Sequence, residues 1–201
     1  MKTATLAIAA ALAASAIGVS AQQAEVGKEA PAFTLASVEG REHALADFRG
    51  KFVVLEWTNY DCPFVVKHYK PGNMQGLQRE FTEKGVVWLS INSSAPGKQG
   101  NFTTDEWKKR IADWKVAATA VLLDGDGKVG RAYGAQTTPH VFIVNPEGIL
   151  IYAGGIDDKP STNSADIAGA KNYVRAALEQ ALAGKPVETP SAKPYGCSVK
   201  Y

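Results

Sequence analysis

The spacing of apolar and polar positions changes along the chain and separates predicted strands from predicted helices. Residues 52–57 are apolar, β-branched or aromatic with almost no alternation, which is the pattern of a strand covered on both faces in a parallel sheet. Residues 86–92 follow the same pattern. Shorter runs predict strands at residues 43–48, 120–123, 141–144 and 149–153. The turn Asn-Pro-Glu-Gly at residues 145–148 joins the last two as a hairpin.

Helical spacing fills the intervals between these strands. A helix is predicted to begin at Cys62, to be interrupted at residues 71–72, where Pro and Gly occur, and to resume over residues 74–84. Further helices are predicted over residues 104–114, in a short segment ending at Tyr133, and over residues 164–182. This alternation of strands and helices, with a hairpin near the end, predicts an α/β fold whose central mixed β-sheet is flanked by helices on both faces.

The first residues predict a targeting signal rather than an element of the folded domain. A basic start at Lys2 precedes an Ala-rich apolar segment, and small residues occur at positions 19–21. This pattern is typical of a secretory signal peptide, and the segment is too short and wrongly flanked for a membrane span. We therefore expect residues 1–21 to be a signal peptide cleaved after Ala21, and residues 22–201 to form one domain that is exported to the periplasm or secreted.

Charge and hydropathy exclude some classes of partner. The chain has 22 basic and 20 acidic residues, and removal of Lys2 with the signal peptide leaves a nearly neutral domain without a basic stripe. The sequence therefore gives no case for nucleic acid as a partner. No apolar run after residue 21 is long enough to cross a bilayer, so no membrane span is expected.

The chain contains two cysteines, Cys62 and Cys197. In an oxidising compartment they can pair, and closing so long a loop corresponds to roughly 4 to 5 kcal/mol of stabilisation in the chain-entropy model. Neither cysteine belongs to a close cluster, so a tetrahedral zinc site is not expected. Helix-capping residue types at Asn59 and Asp61, with Pro63 suited to a first helical turn, place Cys62 at a helix N-terminus. That position favours the nucleophilic thiolate, and the alternative is a buried, inert cysteine.

Glu56 is an unusual residue in the apolar run. A carboxylate inside a central strand is costly unless it is paired or protonated, and burial would raise its pKa toward the range useful for proton transfer. The alternative is a structural hydrogen bond or ion pair. Lys67 and His68, on the helix that follows Cys62, are interpreted as solvated or packing residues.

Four segments together resemble the redoxin branch of the thioredoxin-like proteins, which includes the alkyl hydroperoxide reductase and thiol-specific antioxidant group. They are the Asn59-x-x-Cys62-Pro63 turn, residues 137–140, residues 145–148, and the ending Gly-Cys-Ser-Val-Lys-Tyr at residues 196–201. The ending is similar to that of a peroxiredoxin-like subgroup. Asn59 stands where thioredoxins have a first cysteine and peroxiredoxins a threonine, and Leu55 replaces a peroxiredoxin proline. The resemblance therefore implies a thioredoxin-like fold without a local dithiol, and these departures weaken the case for fast peroxidase activity.

The resemblance also assigns roles to site residues. Cys62 would attack a peroxide or a protein or small-molecule disulfide, and Cys197 would resolve the product. Thr138 would precede a cis Pro139 beside Cys62. His140 would stabilise the thiolate or pass a proton. Glu56, six residues before Cys62, would match the buried acid of thioredoxins in the register that aligns Cys62 with their first cysteine, which is not the register that aligns Asn59 with it. No metal or organic cofactor is implied, whereas an unidentified thiol reductant is.

Three functions remain open at this point. The first is an exported thiol-disulfide oxidoreductase or thiol peroxidase. The second is a non-catalytic thioredoxin-fold binding protein in which Cys62 and Cys197 form a structural disulfide. The third is a copper-binding redoxin that uses Cys62, His140 and Met74 as ligands.

Overall fold

The computed structural model describes residues 23–201, so the expected signal peptide lies outside the described residues. The strands are β1 Thr34–Ser37, β2 Glu42–Ala44, β3 Val53–Trp57, β4 Val87–Asn92, β5 Ala120–Leu123, β6 Thr137–Thr138, β7 His140–Val144, β8 Leu150–Gly154 and β9 Cys197–Ser198. The helices are α1 Pro63–Tyr69, α2 Asn73–Glu83, α3 Thr104–Asp113, α4 Lys128–Tyr133 and α5 Tyr173–Leu182. Within this part of the chain, no helix is both long and apolar enough to cross a bilayer.

The main sheet is mixed, with the strand order β2-β1-β5-β4-β3-β7-β8. β3, β4 and β5 run parallel, whereas β7 pairs antiparallel with β3 and β8 antiparallel with β7. β6 and β9 form a separate antiparallel pair. The predicted α/β class, the central position of β3 and the hairpin between β7 and β8 are confirmed.

Apolar side chains cover both faces of the sheet. On one face, Val54 and Trp88 pack in a cluster that includes Cys62, Phe81 and side chains of α1, α2, α3 and α5. On the other face, a second cluster contains alternate residues of the same strands together with α4 and the N-terminal segment. Because β3 is buried on both faces, it shows no alternation of apolar and polar residues.

Two predicted elements are corrected. Residues 164–182 are not one helix: a 3₁₀ helix spans Ser164–Gly169, and α5 begins anew after Asn172, whose side chain accepts a hydrogen bond from the Arg175 N–H at 2.8 Å. Residues 43–48 are not one strand, because β2 ends at Ala44 and a 3₁₀ helix follows over Leu45–Phe48. The predicted interruption at residues 71–72 is confirmed, with Gly72 in the left-handed conformation at φ 83°.

Candidate active site

Cys62 lies in the turn that leaves the central strand. After β3, the Asn59 side chain accepts a hydrogen bond from the Asp61 N–H at 3.0 Å, and the Asn59 carbonyl accepts one from the Cys62 N–H at 2.9 Å. Cys62 is then the N-cap of α1, in an extended conformation, with Pro63 as the first helical residue. The side chain of Cys62 is fully buried. The turn thus fixes the position of this thiol at the start of the helix, as the sequence predicts.

The Cys62 sulfur has two close neighbours. It contacts the carbonyl oxygen of Thr138 at 3.0 Å and the sulfur of Cys197 at 2.7 Å. Both cysteines are free thiols in this structure. A disulfide bond is about 2.05 Å long, so a small movement is sufficient to join the two sulfurs.

The C-terminal tail reaches Cys62 by pairing with the segment before Pro139. β9 lies antiparallel to β6 with Cys197 opposite Thr138, and the Thr138-Pro139 peptide bond is cis, as predicted. Gly196 has φ 148°, and a Cβ atom there would collide with the Thr138 carbonyl oxygen. The pairing therefore depends on glycine immediately before Cys197.

Burial, together with the hydrogen bond to Cys62 and the charge interaction with it, raises the pKa of Cys197 to about 11. Cys197 is therefore a protonated thiol at neutral pH while Cys62 is free. Two of the three effects that raise the pKa of Cys197 depend on Cys62, so they change when Cys62 forms a covalent bond.

Glu56 is fully buried on the sheet face that also carries Cys62. Its carboxylate accepts hydrogen bonds from the Tyr69 hydroxyl, the Gln78 amide, the Trp88 indole at 2.8 Å and the Ser90 hydroxyl at 3.1 Å. Burial raises the pKa of Glu56 to about 7, against the opposing effect of these four donors. The donors belong to α1, α2 and β4 rather than to the Cys62 turn. These hydrogen bonds favour the interpretation of Glu56 as a structural residue. A catalytic role for Glu56 stays a prediction.

His140 lies on the opposite face of the sheet. It alternates along β7 with the residues of the Cys62 cluster and packs against Phe142, with ring centroids 4.4 Å apart. Its Nδ1 accepts a hydrogen bond from the Gln136 N–H at 3.3 Å. Burial lowers the pKa of His140 to about 4, so the ring is neutral at neutral pH. The expected approach of His140 to Cys62 therefore needs correction.

The copper hypothesis meets the same obstacle. Met74 packs in the Cys62 cluster, whereas His140 is on the far side of the sheet. Among residues 23–201, no group of three or more His, Cys, Asp or Glu side chains is arranged to hold a metal ion. The three residues named for copper therefore do not converge on one point.

Of the two interpretations given for Lys67 and His68, packing holds and solvation does not. Both are buried, and with Asp157 they surround the hydroxyl of Tyr195, two residues before Cys197. Lys67 Nζ lies 3.5 Å from Asp157 Oδ2 and donates to the Lys159 carbonyl at 2.6 Å. His68 is 3.9 Å from the same carboxylate, but burial lowers its pKa to about 4, so at neutral pH this contact is not an ion pair.

The end of the tail has a second anchor at Tyr201. Its hydroxyl donates to the Ala135 carbonyl at 2.8 Å, and its ring lies 4.5 Å from the Arg131 guanidinium. Gly127 and Gly130 leave the space for this ring, since a Cβ at either would meet it. Cys197 is thus held between two anchored tyrosines.

Sequence reasoning missed these tail contacts. The available signal was the aromatic content of the tail, together with a lysine and a histidine in an otherwise apolar helix. Asp157 carries no distinguishing pattern.

The chain is similar in sequence to known thiol-active proteins. The sequence model of the AhpC/TSA family matches residues 26–153. The thiol-disulfide oxidoreductase ResA of Bacillus thuringiensis subsp. konkukian is 28% identical over 130 residues, which are 65% of this chain and 69% of that protein.

Two solved structures extend the similarity over most of the fold. A crystal structure of an uncharacterized conserved protein from Geobacillus kaustophilus has a TM-score of 0.73 and 29% identity, covering 88% of this chain and 92% of that one. A hypothetical protein from Sinorhizobium meliloti 1021 has a TM-score of 0.74 and 25% identity, covering 90% of this chain and 96% of that one. The family match contains Cys62 and Pro139 and ends before the tail.

Proposed function

The chain belongs to the AhpC/TSA family, and we propose that it is an exported thiol-disulfide oxidoreductase with Cys62 and Cys197 as its redox pair. The observation that carries this proposal is the 2.7 Å contact between the two sulfurs beside the cis Thr138-Pro139 bond. The name of the ResA relative supports the reaction class. The oxidoreductase class follows from the family, and the roles of the two cysteines are our assignment.

The reaction has two exchange steps. In the first, the Cys62 thiolate attacks one sulfur of a substrate disulfide, a new S–S bond forms, and the other substrate sulfur leaves as a thiol. In the second, the Cys197 thiolate attacks the Cys62 sulfur, which releases the second substrate thiol and leaves a Cys62–Cys197 disulfide. Two electrons pass from the cysteine pair to the substrate, and an external dithiol returns them.

The raised pKa of the Cys197 thiol supports Cys62 as the first attacking group. The thiolate is the attacking form, and burial together with Cys62 keeps the pKa of Cys197 at about 11 in the reduced chain. Formation of the mixed disulfide removes the charge of Cys62 and its hydrogen bond. The pKa of Cys197 then falls toward its ordinary value, and Cys197 becomes the better nucleophile at the step that needs it.

The same pair also permits peroxide reduction. Cys62 would attack one oxygen of a peroxide, which breaks the O–O bond, forms a sulfenic acid and releases the other oxygen as an alcohol or water; Cys197 would then condense with the sulfenic acid to give the disulfide and a water. The contact between the sulfurs favours the second step. We place this reaction second because Asn59 and Leu55 replace the threonine and proline of peroxiredoxins.

The test measures turnover and the redox state together. With dithiothreitol as reductant and insulin as disulfide substrate, we expect Cys62→Ser to abolish catalysis and Cys197→Ser to accumulate a mixed disulfide visible by non-reducing intact mass. The double serine variant is the matched control, because the chain contains only these two cysteines. A pair that stays oxidised in buffers poised below about −300 mV would instead identify a structural bridge.

Export rests on the sequence of residues 1–21. We expect the protein recovered from the producing cell to begin at Gln22 and to fractionate outside the cytoplasm. Intact mass of the recovered protein checks this, and retention of residues 1–21 would contradict it.

A further inference from the structure

A buried polar pocket surrounds the Tyr195 hydroxyl. The hydroxyl donates to Asp157 Oδ1 at 2.5 Å, and Lys67 Nζ donates to it at 3.2 Å. His68 Nδ1 faces the Asn73 amide nitrogen at 2.9 Å, so the network assigns the ring hydrogen to Nε2, which donates to the hydroxyl at 3.1 Å. One donated and two accepted hydrogen bonds use the full capacity of a hydroxyl group.

The pocket also recognises the aromatic ring. Phe64 packs edge-to-face on Tyr195 with centroids 5.9 Å apart, and Lys67 Nζ lies 5.1 Å from the ring centroid. A phenylalanine would keep the ring contacts but leave buried Lys67 and Asp157 without the hydroxyl. Because a buried charged group that loses a hydrogen-bond partner is penalised, the pocket is specific for a phenol.

The domain therefore makes side-chain-specific contacts with three consecutive positions of the tail. The phenol of Tyr195 fills the pocket, Gly196 allows the close approach to the Thr138 carbonyl, and Cys197 brings its sulfur to Cys62. A polypeptide attacked by Cys62 must bring its own sulfur to the same place. To do so, the polypeptide would have to pair with the edge of β6 that β9 occupies in this structure.

We propose that the groove formed by Lys67, His68, Asp157 and the β6 edge is a recognition site for an extended polypeptide with a tyrosine two residues before its reacting cysteine. This inference rests on the proposed function and names its substrate class. Residues 195–197 are the chain's own copy of that pattern, seated where the substrate binds. The substrate therefore displaces the tail.

The return of the C-terminal tail to the β6 edge would complete the exchange by bringing Cys197 back to the Cys62 sulfur. While the tail is displaced, Cys62 holds the substrate in a mixed disulfide. As the substrate strand leaves the β6 edge, Cys197 returns to its place opposite Thr138 and attacks the Cys62 sulfur. The S–S bond passes from the substrate to Cys197, and the substrate departs as a thiol.

The test uses the full chain carrying Tyr195→Ala and Cys197→Ser, which empties the phenol pocket and removes the competing thiol. The probes are hexapeptides Pro-Tyr-Gly-Cys-Ser-Val whose cysteine is joined to 5-thio-2-nitrobenzoate. Attack by Cys62 releases this coloured thiolate and leaves the peptide on the protein, which intact mass confirms. Matched probes carry Phe or Ala in place of Tyr, or the isomeric order Gly-Tyr-Cys.

We expect the Tyr-Gly-Cys probe to react about tenfold faster than the Ala and Gly-Tyr-Cys probes, with the Phe probe between them. We also expect the Tyr-Gly-Cys probe to react about tenfold more slowly with Cys197→Ser alone, because the intact tail competes at an effective concentration of about millimolar. Equal rates for the four probes would overturn the recognition proposal.

A small disulfide separates this outcome from failure of the proposed function. 5,5′-Dithiobis(2-nitrobenzoate) has no polypeptide strand and needs only a reactive Cys62. If it reacts while the probes show no preference, the recognition site is wrong and the proposed function stands. If neither it nor any probe reacts, the proposed function fails together with the recognition site.

Discussion

Replacing Glu56 by glutamine should remove a specific part of the pH dependence of stability. Burial raises the pKa of Glu56 from its ordinary value of 4.5 to about 7 in the folded chain. Below the lower value the carboxyl is protonated in both states, and above the higher value it is ionised in both. Between them the unfolded chain ionises first, so the free energy of unfolding falls as pH rises.

The size of this effect follows from the pKa interval. Since one pKa unit corresponds to about 1.4 kcal/mol, the interval from 4.5 to about 7 amounts to about 3 kcal/mol. Glutamine stays neutral and can keep its carbonyl toward Trp88 and Ser90, while its amide donates to the Tyr69 hydroxyl, which can turn. Glu56→Gln should therefore gain about 3 kcal/mol relative to the parent between about pH 4.5 and pH 7.

Urea unfolding of both proteins across this range measures the difference. Buried His68 and His140 have pKa values lowered to about 4, so they contribute a slope of the opposite sign, and only the comparison of variant with parent isolates Glu56. A constant difference between the two proteins would show that Glu56 is ionised throughout and refute the assignment. A large loss of Cys62 alkylation rate in the folded variant would restore a catalytic role for Glu56.

Three further outcomes follow from the site. When an added disulfide oxidises the protein, Gly196→Ala should slow formation of the Cys62–Cys197 disulfide because the new Cβ blocks the tail, whereas the control Gly76→Ala, with nothing within 4 Å of its Cβ, should not; equal rates would contradict the close approach. His140→Gln should reduce the loss of stability between about pH 6.5 and pH 4 and leave Cys62 alkylation near the parent rate, and a lost rate would return His140 to the site. Oxidised protein should unfold at higher urea than reduced protein, since a loop of 135 residues corresponds to about 5 kcal/mol, and coincident curves would argue against this bond.

The strand pattern was predictable because it depends on local burial. Residues 53–57 and 87–92 lack alternation since both faces are covered, and the structure has strands there. The split of residues 164–182 was not predictable from periodicity, because Asn172 as a cap looks the same in sequence as a polar residue on a helix surface. Helical spacing also does not distinguish a 3₁₀ helix from an α-helix over one or two turns.

Those site residues were predictable whose role depends on neighbouring residues in the sequence. Cys62, Pro63 and the cis Pro139 followed from turn chemistry and the family resemblance, and the structure has each in its expected place. The placement of His140 could have been corrected from the sequence alone. His140, Phe142 and Val144 are spaced two residues apart along one strand, so they share one face of the sheet.

The sequence could not decide between the solvated and the packing interpretation of Lys67 and His68, because the groups that make their burial tolerable are far away in sequence. A buried lysine requires a charged or polar partner, and Tyr195 lies 128 residues along the chain from Lys67. No local pattern identifies Asp157 as the carboxylate of the pair. Only the folded tail brings these groups together.

Under the proposed function, the tail supplies the second thiol that the Asn59-x-x-Cys62 turn lacks. In a C-x-x-C turn, the resolving thiol is always one helical turn from the attacking one. Here Cys197 reaches Cys62 only while β9 is paired with β6 and the flanking tyrosines are seated. In the reaction proposed above, tail docking therefore sets when resolution occurs. Since the proposed extended substrate needs the same edge of β6, its binding and the resolution step exclude each other in time under this proposal, which gives the mixed disulfide a defined lifetime before the tail returns.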